Sequence, residues 1–237
     1  CGVAVNGLTN TAYITVGLSD SASGSGIQAL NLATNAFGTP LRLRHIVSEN
    51  ISVDAGRNLL LTPGEDNSYG LVRLSSVGDL LTECDISTSG GGGEYDSSAS
   101  DCTTGIALAS NEFTSNVSMA DLNQAVFTPG SGGGIGSWTS PHNVVTLDGS
   151  FAAGISGISV APGGQHMGIL TGEFGGQIFA VFQLPATPAT GGTVPALVDY
   201  AVVNNLPNTP DGASFTAGFD PHTITAYTSP NDGRAYG

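Results

Sequence analysis

Short apolar runs separated by turn residues recur along the whole chain. Residues 12–15 (AYIT) and 59–62 (LLLT) are two such runs, and Gly, Asn, Asp and Pro stand between runs of this kind. This combination is typical of β-strands joined by tight turns. No segment sustains a period of about 3.6 residues, so we predict very little helix. The pattern therefore predicts an all-β fold.

The runs are organised into repeats. Five segments share a short first strand, a turn, an apolar second strand and an acidic turn, and most continue into a third strand that ends in leucine. The repeats start near residues 2, 51, 97, 157 and 217. Their landmarks, spaced by 48, 47, 60 and 59 residues, are Asn6, Asp54, Asp101, Ala161 and Asp220. Four-stranded units of about 40–50 residues are typical of β-propeller blades.

Two of the spacings are long because they hold insertions. Residues 129–141 and 185–195 are rich in Gly, Pro and Thr, and we expect both to form surface loops. Trp138, the single tryptophan, lies in the first insertion. It is either a contact residue on an exposed loop or a side chain that tucks into the propeller wall.

The repeats resemble the NHL and YVTN-type propeller repeats of secreted bacterial proteins. Residues 51–62 (ISVDAGRNLLLT) and 219–228 (FDPHTITAYT) carry the resemblance, which is looser in the first and third copies. The resemblance implies a β-propeller fold and does not by itself imply a shared activity.

The number of repeats bears on domain organisation. There are four full repeats and about half of a fifth, which we interpret as a single domain over residues 1–237. A closed propeller leaves no blade edge unpaired. We therefore expect the domain to be incomplete at one or both ends and to belong to a ring of six or seven blades. A five-bladed ring with a short last blade is the alternative.

Charge excludes several classes of function. The chain has 19 acidic residues, five arginines and no lysine, and its formal net charge is −14. Nucleic-acid binding through a basic face is excluded, because phosphate contacts require many basic side chains. No apolar stretch reaches the roughly 18 residues that a membrane-spanning helix needs.

The acidic residues recur at one position in the repeats, the turn after the second strand. Such turns share one face of a propeller, so we predict an acidic rim there that attracts cations or basic partners. The alternative is that these side chains only cap backbone amides. The rim comprises Asp20, Glu65, Asp66, Glu112, Glu173 and Asp232.

A second polar set precedes the turn between the first two strands of a repeat. Asn6, Asp54, Asp101 and Asp220 are expected to accept a backbone N–H two residues on. Separately, two histidines occupy the same turn of successive repeats and could approach each other. They are His166 and His222.

Cysteine usage bears on the compartment. Cys84 and Cys102 flank a stretch rich in Gly, Ser and Asp, and we predict that they form a disulfide; the alternative is two unrelated buried thiols. A disulfide indicates an oxidising compartment, so we expect an extracytoplasmic location: secreted, periplasmic or cell-surface. Cys1 is open to three interpretations, namely a lipidation site, the end of a fragment or a disulfide partner.

These features favour a non-enzymatic binding, scaffold or envelope-assembly module with a protein or surface partner. One alternative is a metal-dependent propeller hydrolase, resembling the gluconolactonases, whose metal would be held by carboxylate and amide ligands. Another is a self-associating subunit of a surface fibre or layer. We assign no catalytic residue and expect no cofactor, with calcium as the one ion for which the acidic turns are suited.

Overall fold

Short antiparallel strands form almost all of the regular structure. The computed structural model describes residues 2–21, 23–47, 50–87, 94–131, 136–147, 154–172, 179–203, 227–228 and 235–236. Within these ranges the single helical element is a 3-10 turn at Leu122–Gln124. The predicted all-β class with very little helix is therefore confirmed. No helix among the described residues is long and apolar enough to cross a bilayer.

The first sheet follows the predicted repeat. Its strands are β1 (Val3–Asn6), β2 (Thr11–Gly17), β3 (Ser25–Asn31), β4 (Ala36–Phe37) and β5 (Leu41–Arg42). Consecutive strands from β1 to β4 are antiparallel neighbours, and β5 pairs with the start of β3. Asn10, at φ 51°, closes the turn between β1 and β2, a left-handed conformation that Asn tolerates.

The second and third sheets have the same antiparallel order. The second contains β6 (Ser52–Asp54), β7 (Leu59–Pro63), β8 (Ser68–Leu74) and β9 (Leu80–Ser87). The third contains β10 (Tyr95–Asp101), β11 (Ile106–Asn111), β12 (Asn116–Asp121) and β15 (His142–Thr146). Between β12 and β15 along the chain lie β13 (Val126–Thr128), just before the first insertion, and β14 (Gly136–Thr139), within it.

The fourth sheet repeats this order, and one short strand pair follows it among the described residues. The fourth contains β16 (Ile155–Val160), β17 (Met167–Gly172), β18 (Phe179–Gln183) and β19 (Asp199–Val203). In the predicted fifth repeat, β20 (Tyr227–Thr228) pairs with β21 (Ala235–Tyr236). The rest of that repeat lies outside the described residues.

The sheets pack face to face, and strand alternation explains the core. Leu59 and Leu61 of β7 contact the cluster shared with the third sheet, whereas Leu60 between them contacts the cluster shared with the first. Ile106 and Leu108 of β11 likewise face the fourth sheet. A strand in a middle sheet is thus buried on both faces, which is why its sequence is a continuous apolar run. The four sheets are blades of a β-propeller.

The first insertion does not form the loop that the sequence predicts. β13 and β14 form a hairpin, and β14 pairs in parallel with β9, so a segment that follows the third strand of blade 3 extends the sheet of blade 2. Trp138 of β14 is 1% exposed, and its Nε1 donates to the Tyr69 carbonyl at 3.2 Å. Of the two interpretations of Trp138, the structure supports the one in which its side chain packs into the propeller wall.

The connection between blades 1 and 2 follows β5. Its residues 43–47 carry His45 into the interior. His45 Nδ1 lies 2.6 Å from Glu83 Oε1, and Nε2 lies 3.1 Å from the Thr62 carbonyl oxygen. Both ring nitrogens therefore face an oxygen atom of a buried partner. A side chain at Gly70 would place its Cβ 2.5 Å from the His45 ring.

Candidate functional site

The described members of the predicted acidic rim lie on equivalent turns. Asp20 follows β2, Glu65 and Asp66 follow β7, and Glu112 follows β11. The innermost segments of blades 2 and 3 run in the same direction, because Asn50 bridges Ser97 in parallel. These turns therefore share one end of the propeller. The other two predicted members, Glu173 and Asp232, lie outside the described residues.

The local partners of Asp20 and Asp66 are neighbouring side chains and backbone groups. Asp20 forms an exposed ion pair with Arg42, and the hydrogen bond from Arg42 lowers the pKa of Asp20. The carboxylate of Asp66 accepts the backbone N–H of Ile46 at 3.1 Å and the hydroxyl of Ser68. Asp66 therefore does what the capping interpretation expects, and its turn is held in place.

The fold brings two further carboxylates to the same end. Glu94 and Asp96 lie at the start of β10, whose first residue donates its N–H to the Gly64 carbonyl at 3.1 Å. The Glu112 N–H donates to the Glu94 carbonyl at 2.9 Å, so these two acidic residues are backbone neighbours. We define the acidic end as the following five residues. They are Glu65, Asp66, Glu94, Asp96 and Glu112.

Sequence reasoning missed Glu94 and Asp96 because it placed the start of the third repeat near residue 97, so both residues fell in the stretch before that repeat. The alternation that begins at Tyr95 was the available signal, since Tyr95 and Ser97 are buried while Asp96 between them is half-buried. Within the acidic end, Glu65 and Asp66 are exposed, and Glu94 and Glu112 are half-buried. Several like charges on neighbouring segments concentrate negative potential at this surface.

A polar network joins blades 2 and 3 at the opposite end of the propeller. Asp54 is fully buried and accepts the Arg57 guanidinium and the Ser100 hydroxyl, each at 3.0 Å. Burial raises the pKa of Asp54, and the nearby Arg57 charge offsets part of that rise. Arg57 also donates from Nε to Asn123 at 2.9 Å. Gly105, at φ +79°, leaves room for this guanidinium, because a Cβ there would lie 2.5 Å from it.

An equivalent contact joins blades 3 and 4. Asp101 accepts the Thr103 N–H at 3.0 Å, as the Asx-turn prediction requires, and its other oxygen lies 2.6 Å from His166 Nδ1. Burial acts to raise the pKa of Asp101, but the hydrogen bonds from His166 and Thr103 outweigh it, and the pKa lies below its usual value. The structure thus pairs His166 with Asp101. His222, the other histidine of the predicted approach, is outside the described residues.

The ion pair of Asp101 gives a pH prediction. Because its folded pKa is depressed, Asp101 stabilises the protein above its unfolded pKa of about 3.9, and this contribution is lost as pH falls through the folded pKa. Wild type should therefore have a larger free energy of unfolding than Asp101→Asn. We expect this difference to be largest at about pH 5 and to shrink as the pH falls toward about 2. Urea titrations across this range measure it.

The matched control is Asp79→Asn, which changes an exposed carboxylate in the turn between β8 and β9. We expect it to change the free energy of unfolding by less than about 0.5 kcal/mol, because the side chain is exposed. A constant difference for Asp101→Asn over the same range would contradict the stabilising role of the Asp101–His166 pair.

The predicted disulfide between Cys84 and Cys102 is wrong, because Cys102 is a free thiol. Cys84 lies on β9, the fourth strand of blade 2, whereas Cys102 Sγ is 3.6 Å from the Val53 carbonyl oxygen of β6, the first strand of that blade. Three strand spacings of about 4.8 Å separate β6 from β9, which is far beyond the reach of a disulfide. Burial, and then the charge of Asp54, raise the pKa of the Cys102 thiol.

The described residues contain no group of three or more His, Cys, Asp or Glu side chains that could hold a metal ion. The acidic turns are spread over separate blades, and Asp20 and Asp66 are turned toward Arg42, Ile46 and Ser68. Calcium binding stays a prediction.

The four blades and their inter-blade contacts define a β-propeller protein. No family model matches the chain, and no curated protein sequence is similar to it. Solved structures do match. A chain of the nidogen/laminin complex aligns with a TM-score of 0.64 at 11% identity, over 91% of this chain and 68% of its own. A functionally unknown protein from Desulfotomaculum acetoxidans aligns with a TM-score of 0.57 at 16% identity, over 84% of this chain and 55% of its own.

Two further solved structures give the same result. The hydrazine synthase of Kuenenia stuttgartiensis aligns with a TM-score of 0.55 at 11% identity, over 86% of this chain and 49% of its own. A protein from Lactobacillus plantarum aligns with a TM-score of 0.54 at 15% identity, over 98% of this chain and 61% of its own. At these identities the similarity shows the fold alone. The chain spans about half to two thirds of the length of these neighbours.

Proposed function

We propose that the protein is a non-enzymatic, extracytoplasmic binding module whose acidic end docks a basic protein surface. The observation that carries the proposal is the convergence of Glu65, Glu94 and Glu112 from three separate segments on one end of blades 2 and 3. The chain as a whole has a net charge of −14 and contains no lysine, so its surface potential is negative. Such a surface steers and selects a basic partner.

The backbone beneath the acidic end supports a preformed surface. The Glu65 N–H donates to the Ile46 carbonyl at 3.0 Å, and the Gly64 N–H donates to the Ser68 carbonyl at 2.8 Å. The turn that carries Glu65 is therefore tied both to the incoming connection and to itself. A surface held in this way loses little conformational entropy on binding, which favours affinity.

Two resemblances support the role and the compartment. The neighbour from the nidogen/laminin complex is a chain solved together with a protein partner, which makes protein binding a reasonable role for this propeller as well. The likeness of the repeats to those of secreted bacterial proteins supports the extracytoplasmic part of the proposal.

The test uses a lysine-rich peptide as a probe of the acidic end. We expect it to bind wild type more weakly as ionic strength rises, because exposed charges are screened over about 10 Å at 0.1 M salt. The double variant Glu65→Gln, Glu112→Gln should bind about tenfold more weakly, since each lost charge removes a fraction of a kcal/mol of attraction. Isothermal titration calorimetry measures both effects.

The matched control removes two exposed carboxylates from the opposite end. Asp79 lies in the turn after β8, and Asp199 begins β19, so Asp79→Asn with Asp199→Asn changes the net charge by the same amount. We expect this control to bind the peptide within about twofold of wild type. Equal weakening by the two double variants would reject the acidic end as the docking surface and leave only a response to total charge.

A further inference from the structure

The first strands of all four blades meet around one cavity. Its volume is about 260 Å³, and its wall includes Val3 of β1, Ser52 of β6, Ser98 and Ser100 of β10, and Ser159 of β16. Ser52, Ser100 and Ser159 are half-exposed, so solvent reaches the wall. The cavity therefore lies where the innermost strands face one another, and no residue of the acidic end is part of its lining.

The hydrogen bonds of the wall leave acceptors available. The Ser98 hydroxyl donates to the Asn50 carbonyl at 3.3 Å, so in the Ser52–Ser98 contact of 3.0 Å the proton comes from Ser52. The Ser100 hydroxyl donates to the buried carboxylate of Asp54 at 3.0 Å. Each hydroxyl has one proton and two lone pairs. The oxygens of Ser52 and Ser100 thus keep the capacity to accept from a bound molecule.

The rest of the wall is neutral and partly apolar. Ile51, Val53, Ile158 and Val160 alternate with the serines, and the lining residues that the structure describes carry no charged side chain. Strands β6 and β16 each pair with a single neighbour in their sheets, so backbone groups on their free edges also face the axis. The wall therefore offers hydroxyls, peptide groups and aliphatic patches side by side.

We infer that this cavity binds a small, neutral, hydroxyl-rich molecule, of the class of a monosaccharide or polyol. Such a molecule presents O–H donors to the serine oxygens and C–H faces to the valine and isoleucine side chains. A charged ligand would lose hydration without meeting an opposite charge. At about 260 Å³ the cavity lies below the usual range of about 300–1,000 Å³ for drug-sized ligands, which favours a small one. This site is independent of the acidic end and goes beyond the proposed function.

The experiment compares D-glucose and myo-inositol with charged analogues, D-gluconate and D-glucosamine. Saturation-transfer NMR titrations of the whole chain should show saturable binding of at least one neutral probe, with a dissociation constant on the order of millimolar. The charged analogues should bind at least tenfold more weakly. Failure of both neutral probes to bind, or tighter binding of a charged analogue, would overturn the inference.

Variants locate the binding. Ser52→Ala removes one hydroxyl and should weaken binding by about fivefold, the usual net value of one hydrogen bond. Val160→Phe fills the cavity and should abolish binding, with circular dichroism used to confirm that it remains folded. The control Ser76→Ala changes an exposed serine in the turn after β8 and should have no effect. Binding unchanged in Ser52→Ala would place the ligand elsewhere and contradict the assignment.

The cavity proposal and the acidic-end proposal can be tested independently of each other. Glu65→Gln with Glu112→Gln is expected to leave binding of the neutral probe unchanged, because both residues lie outside the cavity wall. Loss of glucose or inositol binding in that variant would contradict the cavity assignment.

Discussion

Replacement of Trp138 by alanine is expected to lower the free energy of unfolding by about 4 kcal/mol, within the usual range for a buried tryptophan. Its ring is 1% exposed and packs edge-on against Tyr69, with 5.9 Å between ring centroids. The substitution opens a cavity between β14 and blade 2. It also removes the Nε1 donor of the Tyr69 carbonyl oxygen, which lies 3.2 Å away. Urea denaturation followed by circular dichroism measures the loss.

The effect should extend beyond a local cavity. Trp138 anchors the hairpin β13–β14, which pairs with β9 and so links blade 3 to blade 2. The control is Ser137→Ala, one residue away on the exposed face of β14, where we expect a change within about 0.5 kcal/mol. A loss below about 1 kcal/mol for Trp138→Ala would mean that the hairpin contributes little to the stability of the propeller.

The second large effect is expected at Glu83. Glu83→Ala leaves the buried His45 ring without the carboxylate that lies 2.6 Å from its Nδ1, and it removes both acceptors of the Arg44 N–H, each at 3.0 Å. His45 is 1% exposed and Glu83 is 7% exposed, so water screens the pair poorly. Removing one partner of a buried ion pair costs about 3–5 kcal/mol. Trp138 is the single tryptophan, so its fluorescence during urea unfolding can report the change.

A double-mutant cycle separates the pair from the packing around it. If the two side chains stabilise each other, His45→Ala with Glu83→Ala should lose clearly less stability than the sum of the single variants. The exposed Asp79→Ala in the same blade serves as the control and should change stability by less than about 0.5 kcal/mol. Additive single losses would contradict a coupled His45–Glu83 pair.

The strands could be predicted from the sequence because apolar runs and turn residues are local features. The continuous run Leu59–Leu60–Leu61 already shows a strand buried on both faces, and the structure assigns its alternate side chains to two different clusters. The turn residues were equally informative, since Asn6 and Asp101 accept the backbone N–H two residues on, as expected. Each of these features depends on a few neighbouring residues, and local sequence determines them.

The residues of the candidate site could be predicted only in part from the sequence. The turns that carry Glu65 and Glu112 were identified from the repeat, but Glu94 and Asp96 were not, because they reach the acidic end through pairing rather than through the repeated turn. The wrong disulfide has a similar cause. A Gly-rich stretch between two cysteines looks like one closed loop, whereas Cys102 follows β10 directly and lies against β6, away from the strand of Cys84.

By itself, the sequence determined the all-β class, the repeated strand order and the low helix content, since period-two alternation and turn chemistry act within a few residues. Tertiary structure alone decided which sheet the hairpin β13–β14 joins, that Trp138 is buried, and that Asp101 pairs with His166 across two blades. These outcomes depend on which strand edge is free and which blade is adjacent. Both are set by packing between residues tens of positions apart, which no local pattern encodes.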